Sequence, residues 1–388
     1  MENKKKHILL VFLVFIATGI FSQEEKQRKW ALNGYLTNMQ SVMFEDVEKD
    51  WVSDNLVHNR LNFKWYISNS LTSSLEVRTR FIYGESLEYI PDYADLIDVE
   101  NGWLDLSGKI ISRRSFLLHS AVDRLWLDFM KGKWQITAGR QRINWGQTFV
   151  WNANDIFNAY SFFDFDYPEK PGSDALRVQY YTGAMSKAEI AVKADNNDKL
   201  TAAGLYKFNK WNYDIQVIAG MLAESDFIAG LGWAGNLWSA AFRGEAVYFH
   251  PEENPGDTSG IFVASAGIDY SFKNGLFVQA EFLYNQQKGD GINSFNQYYY
   301  MPLTAKNLSF TEHNLFVQAS YPFNPLLNGT LSVMYFPEME GFFLGPAASL
   351  SLKDNLELSL NIQTFHGKFS GGDAQDFTMS FLRLKGNF

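Results

Sequence analysis

Residues Leu356 to Gln363 read LELSLNIQ. In an extended chain Leu356, Leu358, Leu360 and Ile362 fall on one face, with Glu357, Ser359, Asn361 and Gln363 on the other, because successive strand side chains point to opposite sides. The pattern recurs along the chain. Leu276 to Tyr284 puts Gln279 and Glu281 on its wet face, and Leu75 to Phe81 sets Glu76, Arg78 and Arg80 against Leu75, Val77 and Phe81. About 18 such segments can be marked off between residues 30 and 386, most of them about ten residues long, as membrane-barrel strands are.

Two further features favour a barrel. Aromatic residues make up 16% of the chain (33 Phe, 19 Tyr, 11 Trp), yet after the first residues no stretch is apolar enough for a spanning helix. Only helices and closed barrels satisfy every backbone polar group inside a bilayer. The connections also alternate in length. Tight ones at Lys131-Gly132-Lys133, Asn209-Lys210, Gly235-Asn236 and Lys353-Asp354-Asn355 interleave with long ones at 85–118, 146–173, 250–258, 287–310 and 367–375. Short periplasmic turns, longer outer loops and an even strand count are what a barrel with both termini in the periplasm requires. The expected fold is all-β, a transmembrane antiparallel β-barrel of about 18 strands (16–18). A secreted, aromatic-rich, sugar-binding β protein is the competing reading of the composition, and it predicts solubility without detergent.

The first residues, MENKKKHILLVFLVFIATGIFSQ, place Lys4, Lys5 and Lys6 before an apolar run from Ile8 to Phe21. That run is too short to span as a helix and suits a secretory signal peptide over 1–22, leaving 23–388 as one barrel domain. There is no cysteine, so disulfide and thiolate chemistry is absent. The net charge of −9 becomes about −11 when Lys4, Lys5, Lys6 and Glu2 leave with the leader, a poor balance for nucleic-acid binding.

The wet face is unevenly charged. Alternation directs Arg60 and Lys64, Arg78 and Arg80, Arg124, and Arg177 toward the lumen. The segment 133–145 is awkward, because Trp134, Ile136 and Ala138 on the lipid face would carry Arg140 and Arg142 with them. An arginine in lipid costs roughly 2–4 kcal/mol at the midplane and about 0–1 near the interface. Either a bulge at Gly139 turns both inward, the favoured reading, or both lie beyond the hydrocarbon. With the bulge they join a basic, pore-lining sector; local pairing with acids such as Glu76 and Asp128 is the plainer account of each cation.

The stretch after it, 146–173, carries Asp155, Asp164, Asp166 and Glu169 among Phe149, Trp151, Phe157, Tyr160, Phe162, Phe163, Phe165 and Tyr167. Outside the barrel those rings would form an apolar patch of a kind soluble surfaces avoid. Folded into the lumen they are buried and the acids face the basic wall as a constriction. Residues 152–160 are expected to form a short helix capped by Asn152 or Asn154.

This arrangement resembles the third loop of general porins, where an inward-folded acidic loop faces an arginine ladder and narrows the channel. The closing stretch Phe377 to Phe388, ending on an aromatic with Leu382 and Leu384 in phase, resembles the terminal strand by which Gram-negative outer-membrane barrels are recognised by the barrel-assembly machinery. A narrower resemblance is to a poorly characterised group of outer-membrane barrels sharing Gly139-Arg140…Trp145-Gly146, Asn154-Asp155-Ile156-Phe157-Asn158 and Pro171-Gly172-Ser173-Asp174-Ala175-Leu176-Arg177. It implies a shared loop structure and little about substrate. These likenesses imply an outer-membrane location, with outer-membrane lipid, lipopolysaccharide and small polar solutes as partners and no nucleic acid.

No other chemistry emerges. His58, His119, His250, His313 and His366 belong to no metal-binding spacing and are expected at strand ends or loops, and no nucleophile elbow is present. Asp92, Asp95, Asp98 and Glu100 raise calcium as a weak possibility, while Asn307-Leu308-Ser309 and Asn328-Gly329-Thr330 match the glycosylation sequon, which is common by chance. No metal, cofactor or catalytic residue is expected. The expected function is porin-like passive diffusion of small polar or anionic solutes; the alternative is a plugged barrel that serves as a scaffold in envelope assembly, export or adhesion.

Overall fold

The first and last strands, Trp30–Phe44 (β1) and Ala374–Asn387 (β19), pair antiparallel from Tyr35 opposite Asn387 to Phe44 opposite Thr378. That pairing closes the sheet. Between them run β2 (Val52–Ser68), β3 (Leu71–Gly84), β4 (Ser107–Ser112), β5 (Phe116–Lys131), β6 (Trp134–Gln141), β7 (Ser173–Gly183), β8 (Ser186–Ala194), β9 (Leu200–Lys210) and β10 (Tyr213–Leu222), followed by β11 (Asp226–Leu237), β12 (Ala240–Pro251), β13 (Ile261–Ser271), β14 (Phe277–Asn285), β15 (His313–Pro322), β16 (Leu327–Phe336), β17 (Gly341–Lys353) and β18 (Leu356–Lys368). Eighteen of these form a closed antiparallel β-barrel in chain order, and β4 lies beside β5. The computed structural model describes residues 28–49, 51–253, 255–256, 259–286, 303–369 and 372–388. The leader expected over 1–22 lies outside them.

No helix among the described residues is long and apolar enough to cross a membrane. The strands cross instead. Phe63, Leu127, Ile136, Leu176, Leu231 and Leu360 are exposed on the outer wall, and Trp30, Trp65, Trp134 and Tyr206 mark its turn end. An apolar band edged by aromatics is the lipid-facing surface of a barrel. Two tight turns lie further along than the sequence suggests, at Trp211-Asn212 and after Leu237, with Trp211, Asn212 and Trp238 all at positive φ.

The expected strand over 133–145 is shorter. β6 ends at Gln141, where the chain turns into the lumen and stays until β7 begins at Ser173. The neighbouring edge of β5 above that point is taken by β4, a strand within the outer loop, with Ser107 opposite Ala121 and Ser112 opposite Leu117. The bulge expected at Gly139 is absent, since β6 pairs without a shift to β5 and β7, with Arg140 opposite Leu125 and Asp174. No shift is needed to bring Arg142 inward, because the strand has already ended. Gly139 still requires glycine: its φ is +109, and an added Cβ would sit 2.2 Å from the Leu125 carbonyl oxygen. The irregularity lies one strand away, in β5, where Asp123 is the extra residue between the pairs Glu76–Arg124 and Val77–Val122.

Candidate functional site: a divided lumen

The segment from Arg142 to Gly172 fills one side of the barrel. Its rings pack on an apolar inner wall: Phe163 lies 5.0 Å from Phe343 and 4.9 Å from Phe365, Phe162 lies 5.1 Å from Phe316, and Phe165 lies 5.0 Å from Phe381. The polar-in rule therefore fails along the loop ends of β15 and β17–β19, whose inward faces carry Phe316, Phe343, Phe365, Phe377 and Phe381. Those faces meet protein rather than water.

The helix expected over 152–160 does not form; only isolated turns occur, such as Asp155 N to Asn152 O at 3.1 Å. The backbone is held by inward-facing wall carboxylates instead. Glu281 accepts the N–H groups of Phe149, Val150 and Trp151 at 3.0, 3.2 and 2.7 Å. Glu245 accepts Gln147 N, the Thr148 hydroxyl and Asn154 N at 3.2, 2.6 and 3.3 Å. Glu189 takes the Trp145 indole N–H at 2.8 Å and pairs with Arg177 and Lys187. Three successive N–H groups converging on one carboxylate form an anion nest. The wet-face position of Glu281 is legible in the alternation, whereas its partner, a segment 130 to 132 residues earlier, is not.

Among the described residues, the other side of the lumen includes two cavities that share no lining residue. The upper, toward the loops, is about 270 Å³ and is lined by His58, Arg78, Arg80, Asp164, Asp166 and Tyr167 with Met39, Met379 and Phe381. The lower, toward the turns, is about 370 Å³ and is lined by Lys64, Arg124, Arg142 and Arg177 with Asp128, Gln135 and Thr137. Six of the eight expected pore-lining cations thus reach a cavity. Arg60 and Arg140 line neither.

Arg60 is fully buried in the layer between the cavities, paired with Asp123 and Glu76 and 3.9 Å from Glu169. Arg140 is built into the wall rather than the pore. Its guanidinium donates to both Asp174 oxygens at 2.8 Å, to Glu100 at 2.7 Å, and to the carbonyls of Leu104 and Val122. It occupies the break where β6 stops and β4 begins. Asp95 and Asp98, two acids considered for calcium, have cationic or histidine partners in Lys109 and His119, and Glu100 has Arg140.

Each acid of the segment has its own surroundings. Asp155 pairs with Arg142 inside its own segment. Asp166 lies 3.4 Å from Arg383 and 3.2 Å from His58. Glu169 accepts the Tyr35 hydroxyl at 3.2 Å. Asp164 lines the upper cavity with Arg78 and Arg80. Much of the basic sector is neutralised by acids of the wall itself, namely Glu76, Asp123, Asp174 and Glu189. His58 and His119, expected at strand ends or loops, are buried on the lumen side.

The fold has solved counterparts. It matches OccAB4 of Acinetobacter baumannii over 94% of this chain and 100% of that one (TM-score 0.55, 12% identity). OccK5 (OpdH) of Pseudomonas aeruginosa matches with TM-score 0.58 and 9% identity over 92% and 98%. The outer membrane protein OpdK of the same organism matches with TM-score 0.57 and 10% identity over 92% and 98%. At such identities the likeness is one of fold. No family model and no curated protein matches the sequence.

Proposed function

We propose that this protein is an outer-membrane, porin-like channel through which small polar solutes diffuse passively, with a preference for anions, and that it carries out no catalysis. The observation that carries this reading is the pair of charge-lined cavities stacked along one side of the lumen, the lower of which sets Lys64, Arg124, Arg142 and Arg177 against Asp128. The apolar outer belt and the resemblance to an outer membrane protein of the same fold support the location. Charged side chains lining a pore select ions by sign. Purified protein in planar bilayers should show discrete conductance steps with a reversal potential biased toward anions. A folded barrel without steps would leave the scaffold reading, which the packed filling of the β12–β19 side favours.

Acid should strengthen the anion preference. Burial pushes the Asp155 carboxyl up to about 6, against the downward pull of Arg142. A raised carboxyl pKa means that the proton is taken up as the pH falls through about 6. The Asp155–Arg142 pair then changes from neutral to positive, and Arg142 lines the lower cavity. The anion-to-cation permeability ratio should rise between about pH 7 and 5, above the ordinary carboxylate range. Asp155→Asn should show the high ratio throughout; a variant that titrates like the parent would refute this assignment.

A further inference from the structure

We propose that the span Asp166–Pro171 is a gate between the two cavities, held shut by carboxylates that occupy the cation sites an anionic solute needs. The inference rests on the channel reading above. Asp166 and Tyr167 line the upper cavity. On the other side Arg124, which lines the lower cavity, donates to the carbonyls of Glu169 and Lys170 at 2.6 and 2.7 Å. The span is therefore the partition.

Its attachments differ in kind from those of its flanks. Phe165 is anchored on Phe381, and the chain re-enters the wall at Ser173. In between the hold is polar: Asp166 to Arg383 and His58, Glu169 to Tyr35 and Arg60, and the Tyr167 ring beneath the Arg78 guanidinium at 3.7 Å. Pro168 and Pro171 have no N–H to donate, and Lys170 sits at φ 57, a strained position for a residue with a Cβ.

Of two buried donors in this region, Arg80 Nε has no hydrogen bond, while Arg78 Nε lies 3.7 Å from the Asp123 carboxylate. The upper cavity thus offers an entering anion the open Arg80 donor near Asp166, a lining residue that itself holds His58 and Arg383. Exchange of Asp166 or Glu169 for a solute anion is charge for charge, so it avoids the large penalty of leaving a buried cation unpaired. Each carboxylate displaced loosens the partition, and the two cavities join.

The test compares the parent with Asp166→Asn/Glu169→Gln in planar bilayers, in chloride and with acetate added on the loop side. The parent should open more often in acetate; the variant should be open several-fold more often than the parent in chloride and indifferent to acetate. Equal open occupancy and an equal acetate response would overturn the gate while leaving the channel standing. A folded parent and variant that both fail to conduct would remove the channel reading, and the gate with it. Because the chain has no cysteine, Thr137→Cys gives a second readout in the lower cavity. An impermeant thiol reagent applied on the loop side should label it faster when the two carboxylates are neutralised, and equal rates would refute the gate.

Discussion

Glu281→Ala should free the front of the lumen segment from the wall. One carboxylate there satisfies three consecutive backbone N–H groups, Phe149 to Trp151, of which Val150 and Trp151 are buried residues. A buried donor left without a partner costs about 1–3 kcal/mol. Loss of the shared acceptor should therefore lower barrel stability by about 3 kcal/mol or more, even with partial rehydration. Glu281→Gln keeps one acceptor oxygen but turns an amide toward the same N–H groups, so its loss should be intermediate. Urea unfolding in lipid vesicles measures the first effect. Limited proteolysis provides a second check, because cleavage between Trp145 and Tyr160 should appear only in the variants. Resistance equal to the parent's would show that the aromatic packing alone holds the segment.

Arg140→Ala should cost as much without altering selectivity. Breaking a buried ion pair by removing one partner typically costs 3–5 kcal/mol, because the other charge stays behind. Arg140 has two carboxylate partners, Asp174 and Glu100, and two carbonyl acceptors at the break between β6 and β4. Lysine cannot reproduce that fork, so Arg140→Lys should also be destabilised. The reversal potential should stay within error of the parent's, whereas Arg142→Ala should shift it toward cations, since Arg142 lines the lower cavity. A selectivity change in Arg140→Ala would return that residue to the pore.

These two residues also show where sequence reasoning stops. Arg140 and Arg142 are two apart on an apparent strand, so alternation treats them alike. Strand termination separates them: Arg140 is the penultimate residue of β6 and Arg142 is the first residue beyond it. Termination depends on the outer loop supplying β4 to the vacated edge. β4 reads SGKIIS, six residues without clear alternation, and nothing local marks it as wall. The displaced turns at Trp211 and Trp238 have a related cause. They lie at the turn end of the wall, where no burial disciplines the pattern and aromatic residues occupy positive φ.

What the sequence determined by itself is the barrel: every alternating segment became a wall strand, because a bilayer outside and a filled lumen inside impose a period of two on each strand independently. It also points 146–173 inward, since so many rings in one long connection have no other place to be buried. The tertiary structure alone decided which charges pair, which cations face open space and where the lumen is divided. Those outcomes depend on contacts between residues far apart in the chain, such as Phe149–Glu281 and Tyr35–Glu169. Periodicity can say that a side chain faces inward, but not what meets it there.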